Sequence, residues 1–245
     1  MCRESGTRAG EGSSGETRVT KNNDLYAVIT GDIVRSSRLG ADQRRRLLSR
    51  LKSSFKAVER IFPGTVCAPF EMHRGDSFQG VLSKPEAALR TALIIRASVR
   101  YGVERGRGQS ALDARLALGI GTIDVLPRGR VREGDGVAFR RSGLTLDTMK
   151  GDRRLLIRTP WPEVDAELHT ECALLDALVR RWTTGQAQAM LGQLRGLSQA
   201  DAAREFGISQ PSVQERLKGA NAWAIEELCR RYERLISEST GVNLP

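Results

Sequence analysis

Apolar positions in the first two-thirds of the chain switch between a strand period and a helix period. Leu25-Tyr-Ala-Val-Ile-Thr predicts a strand that ends at Gly31-Asp32. From Ala41 to Phe62, the residues Leu47, Leu48, Leu51, Phe55, Val58 and Ile61 recur at helical spacing on one face. Two short strands follow, Val66 to Arg74 and Ser77 to Ser83, joined at Arg74-Gly75-Asp76. Pro85 suits the first turn of a helix running from Glu86 to Tyr101, with Ala88, Leu89, Ala92, Ile95 and Val99 turned inward. Leu112 to Val125 predicts another strand. A glycine-rich stretch, Gly134 to Gly143, leads into a short helix, and Arg154-Leu-Leu-Ile-Arg158 is a closing strand. From Trp161 onward every segment has helical spacing. Leu174, Leu175, Leu178, Trp182, Met190, Leu191 and Leu194 suit helices that brace a neighbour or pair two subunits. Trp161, Trp182 and Trp223 are expected to pack this helical part.

The order β-α-β-β-α-β predicts an α+β fold on a ferredoxin-like plan, followed by an all-α region. Residues 1–23 are polar and rich in Gly, Ser, Arg and Glu, as in a disordered tail. The expected units are therefore 1–23 as tail, 24–160 as the α+β ligand or dimerisation domain, and 161–245 as the helical domain. At 245 residues with 40% hydrophobic content the chain has material for two cores. No run approaches the length needed to cross a bilayer, and the first residues lack the apolar core of a secretory signal. Cys2, Cys67, Cys172 and Cys229 are scattered without a CxxC pair, and only His73 and His169 could add imidazole to a zinc site. A cytoplasmic location is expected. The net charge of +10 is unevenly spread: from Trp161 onward nine Lys/Arg face twelve Asp/Glu, while the preceding residues hold 30 and 17. The positive field lies on the α+β part, where it suits phosphates of a ligand as well as those of nucleic acid.

The C-terminal region carries the sharpest motif. Ser198-Gln-Ala-Asp-Ala-Ala-Arg-Glu-Phe-Gly207 predicts a short helix with a serine cap and a glycine stop. After Ile208, Ser209 caps a second helix, Gln210-Pro-Ser-Val-Gln-Glu-Arg-Leu-Lys218, whose first turn tolerates Pro211. Ala202, Ala203, Phe206, Ile208, Val213 and Leu217 are the small or apolar residues needed where two helices cross. Ser209, Gln210, Ser212, Gln214, Arg216 and Lys218 supply hydroxyl, amide and cationic groups suited to base edges and phosphates, so 198–218 is expected to be a DNA-binding helix-turn-helix. The segment resembles the helix-turn-helix of sigma-factor region-four-type regulators. One such helix reads few base pairs, so a homodimer on duplex DNA is expected.

A second constellation lies in the α+β part. Thr30-Gly31-Asp32 and Arg74-Gly75-Asp76 place carboxylates at a strand end and at a hairpin tip, where both aspartates can meet on one sheet edge. Asp32 and Asp76, with Gly31 and Gly75 beside them, are candidates for holding a divalent ion and the phosphates of a nucleotide. Together with Ala114 to Asp124 and Glu133 to Ser142, these phrases resemble the catalytic core of class III nucleotidyl cyclases. That resemblance implies Mg²⁺ on the two aspartates and a purine nucleotide as ligand. It also implies an asparagine and an arginine that stabilise the cyclising transition state, but this chain has Ala138 and Ser142 at those positions. Loss of such donors costs about 10²–10³ in rate each, so nucleotide binding without efficient cyclisation is expected. The whole arrangement resembles the SatD family from about Tyr26 to Arg234, through Tyr26-Ala-Val-Ile-Thr-Gly-Asp-Ile-Val-Arg-Ser-Ser37, Arg74-Gly-Asp-Ser-Phe-Gln79 and Phe139-Arg-Arg-Ser-Gly-Leu144. The favoured expectation is a transcription regulator with a nucleotide-sensing, cyclase-like domain. An active cyclase and a DNA-binding dimer without ligand remain open at this point.

Overall fold

The computed structural model describes residues 17–18, 24–73, 75–102, 112–127 and 130–241. The tail expected over 1–23 therefore lies outside the described residues, apart from β1 (Thr17–Arg18). The chain continues through β2 (Tyr26–Val34), α1 (Ala41–Ile61), β3 (Val66–His73), β4 (Ser77–Leu82), α2 (Ala88–Tyr101), β5 (Asp113–Gly121), β6 (Leu126–Pro127), α3 (Val137–Thr148) and β7 (Leu155–Arg158). It finishes with α4 (Pro162–Arg180), α5 (Thr184–Leu194), α6 (Gln199–Phe206), α7 (Gln210–Gly219) and α8 (Ala222–Thr240). The architecture is mixed α/β: eight α-helices among the described residues surround a five-stranded sheet in the order β3-β4-β2-β5-β7. The first four strands are mutually antiparallel, and β7 joins β5 in parallel. β1 pairs separately with β6.

Alternation in β2 sorts the side chains into two layers. Ala27, Ile29 and Ile33 face α1 and α2 and join the larger core. Val28, on the opposite face, packs with Val81, Ala138 and Phe139 under α3. The larger core is continuous from Ala27 through α2 to Ile236 of α8.

α2 differs most from its sequence pattern. One inward face was expected, yet nearly every residue from Ala88 to Arg100 is buried, because α2 lies between the sheet and α5. Its start is also later than Glu86, since Pro85–Ala87 forms a 3-10 turn. The strand expected from Leu112 to Val125 stops at Gly121, where Thr122 turns its carbonyl to the Ala138 N–H at the head of α3. Trp223, expected to pack the helical part, is 76% exposed, and Leu174, from the row read as bracing a neighbour or pairing subunits, is 62% exposed. Trp223 precedes the buried Ile225 by two residues, about 200° around α8, and Leu174 sits about 100° from the buried Leu175. Trp182 is buried as expected and donates its indole N–H to the Ala220 carbonyl (3.0 Å).

A fully buried arginine joins the sheet to the helical region that follows it. Arg96 of α2 donates Nε and Nη2 to the Asp113 carboxylate (3.0 and 2.9 Å) and Nη1 to Asp176 of α4 (2.6 Å). The other Asp176 oxygen accepts the backbone N–H groups of Arg154 and Leu155 (2.8 and 3.2 Å). Arg100 adds a bond to Asp113 (3.3 Å) and two to the Arg180 and Trp182 carbonyls (both 2.8 Å). Two guanidinium and two carboxylate groups thus balance in a buried setting, the condition under which buried charge is tolerated. Burial works against the Asp113 charge, but Arg96 and Arg100 outweigh it and hold its carboxyl below the usual aspartate range.

Two outcomes follow from this network. Asp176→Ala should lower unfolding free energy by about 3–5 kcal/mol, because it leaves buried cationic and N–H groups unpaired, whereas Trp223→Ser should change it by about 0.5 kcal/mol or less. Urea titration monitored by circular dichroism measures both. The Asp113 contribution is complete above the ordinary aspartate pKa of the unfolded chain and is lost as pH falls through its lower folded value. The urea midpoint of the native chain should therefore fall more steeply below the usual aspartate range than that of Asp113→Asn.

Candidate functional site

The face of the sheet opposite α1 and α2 is covered by α3 over β5 and carries a polar row beside it. Asp32 is in register with Ser77 on one side and Arg115 on the other, and Thr30 with Gln79 and Ala117. Gln79 donates Nε2 to the Thr30 hydroxyl (2.9 Å), which shares a second hydrogen bond with the Ser142 hydroxyl of α3 (2.9 Å). Arg115 donates Nε to one Asp32 oxygen (3.0 Å) and Nη2 to the other. This hydrogen bond pushes the Arg115 guanidinium above its ordinary pKa, keeping it cationic.

Asp76 lies in the hairpin before β4, beside the end of β2, with a different side-chain partner from Asp32. Its carbonyl accepts the Ile33 N–H (3.2 Å), and its carboxylate accepts the Ser36 hydroxyl (2.6 Å). Gly75 has φ 85° at the hairpin tip, a conformation that favours glycine. Gly31 is buried on the opposite face, where a Cβ would strike Phe78 and Leu116 (both 2.7 Å); its observed role is packing. Both Asp32 oxygens are held by Arg115, and no group of three His, Cys, Asp or Glu converges among the described residues. So arranged, the donors do not fit a divalent ion: a guanidinium already supplies the compensating charge. Arg115 was missed in the sequence because only strand register sets it opposite Asp32.

The packing of α3 explains Ala138 and Ser142. A Cβ at Gly119 would overlap the Ala138 carbonyl oxygen and stand 2.5 Å from the Ser142 nitrogen. The helix thus rests directly on the bare strand, and Ala138 and Ser142 are fully buried there. A larger side chain at either position would lift α3 from the sheet. The neighbouring arginines are engaged elsewhere: Arg141 donates to the Ile120 carbonyl (2.6 Å), and Arg140 pairs with Asp135 (2.8 Å) and Asp124 (3.6 Å).

At the other end of the chain, α6 and α7 have the expected caps. Ser198 accepts the Asp201 N–H (3.1 Å), Gly207 closes α6 at φ 66°, and Ser209 accepts the Ser212 N–H (3.3 Å). Ala202, Ala203, Val213 and Leu217 are buried where these helices meet. Gln210, Gln214 and Lys218 form an exposed stripe at four-residue spacing, while Ser212 is half-buried and bonded to Ser209 (2.9 Å). Arg216 turns away from that stripe: it lies over Gly185 and donates Nη1 to Gln188 Oε1 of α5 (2.7 Å).

No helix among the described residues is long and apolar enough to cross a membrane. Gly119→Ala should destabilise the fold by about 1–3 kcal/mol, since the clash is with backbone; Gly143→Ala, where a Cβ meets open space, is the control. Thermal unfolding of both variants measures the difference. No family model and no curated protein matches the chain. Among solved structures, a bacterial light-regulated adenylyl cyclase is similar at 19% identity and a TM-score of 0.36, over 56% of this chain and 77% of that one.

Proposed function

We propose that the chain is a DNA-binding regulator, with α6 and α7 as a helix-turn-helix and the sheet unit as a cyclase-like module that binds a purine nucleotide without cyclising it. The observation that carries the reading is the exposed Gln210-Gln214-Lys218 stripe on a short helix capped by Ser209. Amide side chains at that spacing address adjacent base edges, and Lys218 addresses a phosphate. A dimer sets two such helices about one DNA turn apart. Arg216 joins the reading surface only by leaving Gln188, so its part is to fix α7 on α5.

The ferredoxin-like order of β5-β2-β4-β3 and the polar row beside α3 support the cyclase-like part. Ala138 and Ser142, pressed onto Gly119, offer no preorganised donor to a cyclising transition state. We assign nucleotide phosphates to Arg115, which exchanges its bonds to Asp32 for them, and not to Mg²⁺ on Asp32 and Asp76.

Selection of duplexes from a random pool tests the first part. Gln214→Ala should lose about 1–3 kcal/mol of preference for the selected sequence, whereas Lys218→Ala should weaken all sequences alike and lower the salt slope by about 1. Failure to enrich any duplex, or equal selectivity in Gln214→Ala, contradicts the reading. Calorimetry with ATP and GTP tests the second part: binding should survive chelation of Mg²⁺ and be lost in Arg115→Gln. Loss on chelation with Arg115→Gln unaffected would return the phosphates to a metal site, and sustained cyclic-nucleotide formation would make the chain an enzyme.

A further inference from the structure

A cavity of about 350 Å³ lies between α1, α2, α5 and α6, apart from the polar row of the sheet and behind the exposed stripe of α7. It is within the size range of small-molecule sites, and its chemistry is two-sided. Arg50 and Arg60 of α1 border it, and among the described residues neither has a carboxylate partner. Arg50 instead lies 4.2 Å above the Tyr101 ring, and Arg60 reaches its own helix at the Lys56 carbonyl. Arg195, also at the rim, is neutralised by Glu205. The cavity therefore holds two uncompensated cations, which attract an anion.

Its walls ask for a ring. Tyr101 and Phe206 meet edge to face with centroids 6.2 Å apart, and apolar Ala57 and Leu191 complete that side. A flat ring entering there finds aromatic edges and faces at favourable geometry. The buried hydroxyls of Ser54 and Ser98 border the same space. Each spends its proton on a carbonyl of its own helix, Leu51 (2.7 Å) and Ile94 (2.8 Å), so both oxygens are left to accept from a ligand N–H or O–H. We infer that this cavity is a binding site for a small organic anion carrying a flat ring, its charge on Arg50 and Arg60 and its ring against Tyr101 and Phe206.

The site has a direct line to α7. The Tyr101 hydroxyl accepts from Gln188 Nε2 (3.0 Å), and Gln188 Oε1 accepts from Arg216 (2.7 Å). A ligand that moves Tyr101 or Phe206 acts on α6 by contact and on α7 through two hydrogen bonds. This consequence rests on the DNA-binding reading; the site itself does not.

The test is calorimetry on the full chain with three sets of probes: inorganic phosphate, benzoate and salicylate, and the nucleoside monophosphates AMP and GMP. At least one ring-bearing set should bind, phosphate alone about tenfold or more weakly, and Arg50→Gln or Arg60→Gln should each weaken binding by about tenfold. Both arginines are exposed on α1, so the variants keep the fold. Whether carboxylates or monophosphates bind identifies the source of the anion. No ring-bearing probe binding at millimolar concentration overturns the inference, as does binding indifferent to both α1 variants. Binding abolished by Arg115→Gln alone assigns the ligand to the sheet face and also overturns it.

Discussion

The buried pairing of Arg96 with Asp113 and Asp176 is the constraint on which the rest of the structure depends. An arginine with no exposed surface is stable only if its hydrogen-bond donors meet fixed acceptors, and these come from β5 and from α4. The same Asp176 carboxylate receives the first N–H groups of β7. One ionic cluster therefore fixes where α2 lies on the sheet, where β7 begins and how α4 returns over them. The apolar core supplies most of the driving force, but apolar contact is non-directional. Directional bonds to a buried guanidinium select one arrangement of the helical region on the sheet.

The two faces of the sheet have different consequences for function. On the face under α1 and α2, the side chains belong to the larger apolar core. On the other, α3 presses closely on Gly119, with Ala138 and Ser142 buried in the contact. Beside α3, Asp32 is paired with the Arg115 guanidinium, and the proposed nucleotide binding is assigned to that pair.

How much was legible in the sequence follows the range of the interaction concerned. Ser198, Gly207 and Ser209 were readable because a cap acts within three residues. The alternation of β2 and the hairpin at Gly75 were readable for the same reason. Arg96 was not: its acceptors lie 17 and 80 residues away, and a lone arginine on an apolar helix face carries no sign of burial. Asp32 was read at a strand end, but β2 runs on to Val34 and pairs on both sides at Asp32, and Arg115 became its partner through strand register, which local pattern does not encode. Trp223 was misplaced because an apolar side chain on a helix need not face inward. Arg216 was read with the exposed row of α7, yet Gly185 on α5 leaves room for it to turn inward to Gln188.

The central claim is that the sheet unit and α7 form one responsive body. A ligand shifts such a body only by favouring one of its arrangements, and α5, packed on α2 and hydrogen-bonded to Arg216, lies between the two parts. The most direct measurement titrates a selected duplex into the full chain at fixed salt, with and without saturating ATP or GTP. Coupling of ordinary strength predicts affinities that differ by about 5–150-fold, with the duplex altering nucleotide affinity by the same factor. Superimposable curves would contradict the claim and leave two independent binding modules on one core.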